Sequence, residues 1–240
     1  MSDDERKQLT ELANQYRDAG EWDRLIETVE KRHALTRKEG MPSVDLVYLA
    51  GNLAQAGRVD EAVTLIERSA REFRETGVLE NSFEWKTLYS TEIDVMLAAD
   101  RMDDAIAACR KTVAIALATG PDDSEYWEMH GYLGDLLQFG KKDVPAAIVE
   151  REVLWAHFRK RIASFTGEAE LAYNAIVVHV QNGARLAHAY RQVKRPAEAI
   201  PVYEALLLDI RRSTFLGPQA QEIATIKQEL EATRAEAQRK

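Results

Sequence analysis

The chain has one cysteine, six prolines and twelve glycines in 240 residues. A single thiol forms no internal disulfide, so no covalent staple supports the fold. So little glycine and proline excludes collagen-like and linker-rich chains and argues against a turn-dense all-β fold. No apolar run approaches the 18 residues of a membrane span. No apolar signal segment follows Met1, and with the lone cysteine this reads as a cytoplasmic chain. Basic charge is also short: 32 Lys and Arg face 40 Asp and Glu, for a net charge of −8. That balance argues against nucleic acid as the main partner. The deficit is local. Residues 1–120 hold 16 basic and 23 acidic side chains, and residues 121–240 hold 16 and 17.

What the chain does have is helical period. Leu9, Leu12, Ala13 and Tyr16 fall at i, i+3, i+4, i+7, as do Leu46, Leu49, Ala50 and Leu53. Ala, Leu, Glu, Arg, Lys and Gln dominate, and all are strong helix formers. No alternating run of strand length is present. Short breaks at Gly40–Ser43, Gly77–Ser82, Gly120–Asp123 and Phe165–Gly167 divide the pattern into about eleven helices. Ser43, Ser82 and Ser124 are N-cap candidates. The stretch from Glu168 to about Gln192 is the longest uninterrupted one, either whole or divided at Asn182-Gly183.

The breaks recur because one template repeats five times. Its first helix reads Leu9-x2-Leu12-Ala13-x2-Tyr16, and the later copies end at Leu53, Met96, Leu137 and Tyr190. Nine residues after each of these anchors comes a second-helix residue: Leu25, Ala62, Ala105, Ala146 and Ala199. In the fourth copy a shift by one, onto Ala147, fits equally well. Small residues at Ala13, Ala50, Gly134, Ala187, Ala62, Ala105 and Ala199 let two antiparallel helices approach closely. Each pair leaves an apolar face open, which the next pair covers.

These residues resemble the tetratricopeptide repeat (TPR) family, whose signature is Trp-x2-Leu-Gly-x2-Tyr followed by Ala-x3-Phe. Copies one, two and five carry most of it. Copy three departs at Glu92, copy four at Glu150 and over Lys141–Pro145. Steps of 37, 43, 41 and 53 residues between anchors are longer than the usual repeat and are similar to kinesin-light-chain-like TPR arrays. The resemblance implies an all-α fold: a right-handed α-solenoid of about five antiparallel helix pairs plus a C-terminal capping helix. As one domain over 1–240, the pairs fall at about 5–39, 44–76, 83–119, 124–165 and 168–213, with the cap at about 217–239.

No catalytic motif is present: no Gly-x-Ser-x-Gly, His-Glu-x-x-His or phosphate-binding glycine loop. The reading is therefore of a chain that is not an enzyme, with no cofactor and no metal. Cys109 sits where the repeat wants a small buried side chain. His33, His130, His157, His179 and His188 have no ligand spacing for zinc. His130 reads as a core residue. Trp22, Trp85, Trp127 and Trp155 read as packing between pairs, although Trp85 and Trp127 begin first helices and would also suit a groove edge.

In the family, first helices line a concave groove that binds peptide segments or partner helices. The resemblance places Asn14 and Arg17, Tyr48, Asp94, Tyr132 and Asp135, and Arg185, His188 and Arg191 on that wall. Asn14 is similar to the asparagine of carboxylate-clamp TPR domains, but Gly51 and Asp94 stand where the clamp needs Asn and a base, so no clamp is expected. The groove reads as acidic and aromatic in its middle and basic at its C-terminal end. The expected partner is a protein or peptide with a basic or amphipathic segment, with no membrane insertion. The function implied is a protein-interaction scaffold. The alternatives are a peptide-sensing regulatory receptor, for whose usual helix-turn-helix the first pair leaves no room, and a structural subunit that forms a homo-oligomer through a terminal helix.

Overall fold

A computed structural model describes residues 3–119, 124–164, 169–212 and 220–239. The breaks at Gly120–Asp123 and Phe165–Gly167 and the first residues of the expected cap, 217–219, lie outside the described residues. The described residues form helices, with no strand among them: α1 (Asp3–Ala19), α2 (Trp22–Lys38), α3 (Asp45–Gln55), α4 (Val59–Glu75), α5 (Phe83–Ala98), α6 (Met102–Thr119), α7 (Ser124–Asp135), a π-turn (Leu136–Gly140), α8 (Val144–Ser164), α9 (Ala169–Gln192), α10 (Pro196–Arg212) and α11 (Ala220–Gln238). None is long and apolar enough to cross a membrane. The contacts group into two compact units, residues 1–126 and 127–240.

Unit 1 is three helix pairs, α1/α2, α3/α4 and α5/α6, stacked in the manner of an α-solenoid. Helix α2 packs on α3, and both α3 and α4 pack on α5. The close seams are made by small residues: Ala50, Ala62 and Ala105 are fully buried. Larger side chains fill the space beside them, among them Leu46, Leu49, Leu53, Ile66, Leu88 and Ile93. Each such side chain contributes roughly 1.5–3 kcal/mol by leaving water. Trp85 is a packing residue. It is buried against Phe73 and Tyr89, with ring centroids 5.6 and 5.2 Å away, and its Nε1–H donates to the Val78 carbonyl at 3.0 Å. Ser82 Oγ accepts from the Trp85 backbone N–H and starts α5. Cys109 is buried in the slot that the repeat reserves for it. Glu92, the acid in an apolar register, is half-buried, and burial raises its pKa.

One turn geometry joins the helices of pairs one, two, three and five. The anchor carbonyl accepts from the N–H five residues on at 2.8 Å: Tyr16 from Glu21, Leu53 from Arg58, Met96 from Arg101 and Tyr190 from Arg195. The residue before that donor takes a positive φ: Gly20 and Gly57, but Asp100 and Lys194 in the other two. The left-handed conformation costs a side-chain-bearing residue about 1–2 kcal/mol, which the rest of the turn must hold.

Unit 2 contains α8 to α11 and most of α7. Its first turn differs from the other four. After Leu137 the helix widens into the π-turn, and the Leu137 carbonyl accepts from Asp143, six residues on, at 2.8 Å. The positive φ falls on Lys142. A π-turn inserts one residue without ending the helix. This settles the register of the fourth pair. Ala147, not Ala146, is the fully buried seam residue, and four further on the inward position belongs to Arg151 instead of Glu150.

Of the two alternatives at Asn182-Gly183, the structure has the undivided one: α9 is one helix of 24 residues. Gly183 instead permits close approach. A Cβ there would lie 2.5 Å from Trp155 Cζ3 and 2.8 Å from Leu206 Cδ2. Gly183 holds the place where the family signature has its Trp, and Trp155 of α8 fills that volume from the other side. Helix α11 packs on α10 through Ile226 and Leu230, both buried, with Ile223 beside them. Ala199 is fully buried in the α9/α10 seam.

Candidate functional site

The first helices of unit 1 present one cleft of about 420 Å³. Its floor is apolar because the repeat puts Ala13, Leu25, Val29 and Leu49 there. Its walls carry Asn14 and Arg17 from α1, Tyr48 and Gln55 from α3, and Thr91 and Asp94 from α5. Gly51 keeps α3 and α5 close: a Cβ on it would lie 3.3 Å from Thr91 Cγ2. Four residues expected on the groove, Asn14, Arg17, Tyr48 and Asp94, therefore share one cleft.

Their electrostatics differ. Arg17 makes a two-point contact with Asp18, at 3.0 and 2.9 Å. Arg32, at the cleft edge, pairs with Asp45 at 2.8 Å and donates to Thr10 Oγ1 at 3.2 Å. Asp94 is exposed and has no ion pair or hydrogen bond among the described residues, and desolvation by the surrounding cleft raises its pKa. Tyr48 is 50% exposed, and its hydroxyl has no partner among the described residues. The cleft thus holds one uncompensated carboxylate beside one uncovered aromatic ring.

The other expected wall residues lie in unit 2 and are placed otherwise. Asp135 is held between two arginines, accepting from Arg151 at 2.6 Å and from Arg185 at 2.5 Å. Arg151 is 0% exposed. Its Nε donates to Gln138 Oε1 at 2.9 Å, and Gln138 Nε2 donates to Gln192 at 2.9 Å. Burial lowers the Arg151 pKa while Asp135 opposes the shift. Asp135 and Arg185 therefore answer each other. Arg191 is engaged by the capping helix. It contacts Glu229 and donates from Nε and Nη2 to Glu236 at 3.1 and 2.5 Å, and these bonds raise its pKa. Tyr132 is half-buried, and His188 is exposed.

Buried histidines serve packing between helices. His33 contacts Glu72 at 2.8 Å, His130 contacts Glu150 at 2.6 Å and His179 contacts Asp209 at 3.0 Å. Trp127 stacks on His157 with centroids 3.5 Å apart, and Trp155 stacks on His179 at 4.5 Å. Trp127 is buried, so neither it nor Trp85 stands at a groove edge. No group of three or more His, Cys, Asp or Glu among the described residues is arranged to hold a metal ion.

Sequence reasoning missed two features. Phe83, 64% exposed, lines a second depression of about 570 Å³ that shares Tyr48 and Thr91 with the cleft. Its signal is period: Phe83, Thr87, Thr91 and Asp94 all fall on one face of α5. Arg151 was hidden by the inserted residue. Its signal is the misfit at Lys141–Pro145.

Residues 184–215 match the family model of the tetratricopeptide repeat. No curated protein matches the sequence. Among solved structures, the chain is similar to nearly identical TPR-like repeats assigned to a kinesin light chain of Podosopora anserina, with 21% identity and a TM-score of 0.64 over 89% of this chain and 100% of that one. A single-substitution variant of that protein gives 0.62 with the same identity and coverage. BtubC (BKLC) from P. vanneervenii gives 0.56 at 16% identity over 95% of this chain and 79% of that one. At these identities the likeness is one of fold. One repeat of this chain thus matches the tetratricopeptide model, and its fold is similar to that of arrays of TPR-like helix pairs.

Proposed function

We propose that the chain is a non-enzymatic protein-interaction scaffold whose unit 1 cleft binds a segment of a partner protein through a basic group. The fold supports the general part, because TPR-type arrays mediate protein–protein contacts. The observation that carries the specific part is Asp94. A carboxylate in a cleft, with burial opposing its charge and no internal cation to balance it, favours an external one. Tyr48 beside it offers an aromatic surface that gains by being covered. Asp135 does not share this role, because Arg151 and Arg185 already occupy its oxygens.

Partners captured from the native cell and identified by mass spectrometry provide the ligand for the test. Asp94→Lys should weaken binding several-fold at low ionic strength and by less at high salt, since an exposed ion pair contributes about 0–1 kcal/mol and is screened. Tyr48→Ala should weaken binding to a similar extent at all salt concentrations. A partner whose affinity ignores both variants, or whose footprint lies on α4 and α6, would falsify the assignment.

A further inference from the structure

We infer that the cleft continues past Tyr48 into an apolar subsite at Phe83, and that the segment it accepts is extended and carries a cationic and an apolar side chain about five residues apart. This rests on the cleft being the binding site. The two depressions adjoin, since Tyr48 and Thr91 line both. Their far ends are marked by Asp94 and Phe83, which stand on one face of α5. The inner face of that helix is already supplied by Trp85, Leu88 and Ile93, all buried, so the Phe83 ring is not needed for the core. It lies 64% exposed, with Leu79 also exposed just before it in the chain. An aromatic ring left open in a depression is a contact surface.

The two ends differ in charge, and this fixes which group goes where. Asp94 has no internal cation, and burial raises its pKa. The lining of the Phe83 end holds no carboxylate, so the cationic group goes to Asp94. The separation follows from helix geometry. Eleven residues between Phe83 and Asp94, at about 1.5 Å each, give roughly 16 Å. An extended chain covers about 3.3 Å per residue, so the span is about five residues.

The test uses fluorescein-labelled peptides of about twelve residues on a Gly/Ser background, each with one Arg and one Phe at separations from two to eight, titrated by fluorescence polarisation at low salt. Affinity should peak at separations of about four to six and be several-fold weaker at two and eight. Phe83→Ser should remove the peak and leave the affinity of a peptide without Phe. Asp94→Asn should make Arg and Gln versions of the peptide equivalent. Circular dichroism confirms that both variants keep their helices. A flat dependence on separation, an unchanged peak in Phe83→Ser, or no binding by any peptide up to about 1 mM overturns the inference. A captured partner separates the two ideas. Loss of its binding in Asp94→Lys but not in Phe83→Ser overturns the inference and keeps the cleft; insensitivity to both removes the cleft as well.

Discussion

Asp94 and Asp135 occupy the same position in two successive repeats, each two residues before its anchor, Met96 and Leu137. One is uncompensated and lines a cleft, and the other is clamped by Arg151 and Arg185. The cause is one buried position on the following helix. In the third pair it is Cys109, a small thiol that stays within the seam. In the fourth pair the π-turn moves the register by one residue and brings Arg151 into that slot. Its guanidinium passes Gly134, where Cγ, Cζ and Nη1 would all lie 3.3 Å from an added Cβ, and reaches Asp135. A repeat position thus takes its chemistry from the side chain packed beneath it. Asp94 is left without an internal partner, whereas Asp135 helps hold its helices together.

The comparison is broken most severely by Arg151→Ala. Removing one member of a buried charged network leaves Asp135 and Gln138 without their inner partner and opens a cavity. The loss should be about 3–5 kcal/mol, read by urea or thermal unfolding. Cys109→Ala, the same position one repeat earlier, should cost only about 1 kcal/mol.

Next in size is Gly183→Ala. The added methyl meets Trp155 and Leu206 inside contact distance, and overpacking of this kind costs about 1–3 kcal/mol. Trp155→Leu in the same chain should recover part of the loss, because the two side chains compete for one volume. Ala199→Leu, in the next seam, should cost about as much as Gly183→Ala.

A third difference is in acid. Burial raises the pKa of Asp209, but hydrogen bonds from His179 and Arg159 outweigh it and hold the carboxyl below its usual range. A folded pKa lowered below the unfolded value, about 3.9 for Asp, stabilises at pH above that value and is lost as pH falls through the folded pKa. Asp209→Asn should therefore cost about 1–3 kcal/mol near neutral pH, and the gap to the parent chain should close below about pH 4. Asp94 has the opposite sign. Burial raises its pKa, so its ionisation opposes folding as pH rises through the folded pKa. Asp94→Asn should leave stability at pH 7 unchanged or slightly higher, within about 0.5 kcal/mol.

The helix pairs were legible in the sequence because small and apolar residues recur at fixed offsets from Tyr16, Leu53, Met96 and Tyr190. Four turns obey one hydrogen-bond pattern, so offsets counted from these anchors reach Leu25, Ala62, Ala105 and Ala199 correctly. The fourth turn was ambiguous because a π-turn adds a residue while Leu133, Leu136 and Leu137 all stay buried, so the apolar pattern before it gives no warning. The role of Gly183 stayed open because Trp155, its complement, lies 28 residues earlier on another helix. The lining of the cleft was legible where side chains keep to their own repeat, as at Asn14, Tyr48 and Asp94. Placement was not legible at Asp135, Arg185 and Arg191, whose partners come from other helices at long range.

Asp94 has no internal partner among the described residues, while its counterpart Asp135 is held by Arg151 and Arg185. The direct measurement is a pair of variants, Asp94→Asn and Asp135→Asn, each assayed for unfolding free energy and for affinity toward a captured partner. The account predicts that Asp94→Asn loses affinity and keeps stability, and that Asp135→Asn loses stability and keeps affinity. The opposite assignment, or equal effects of the two variants on binding, would contradict it.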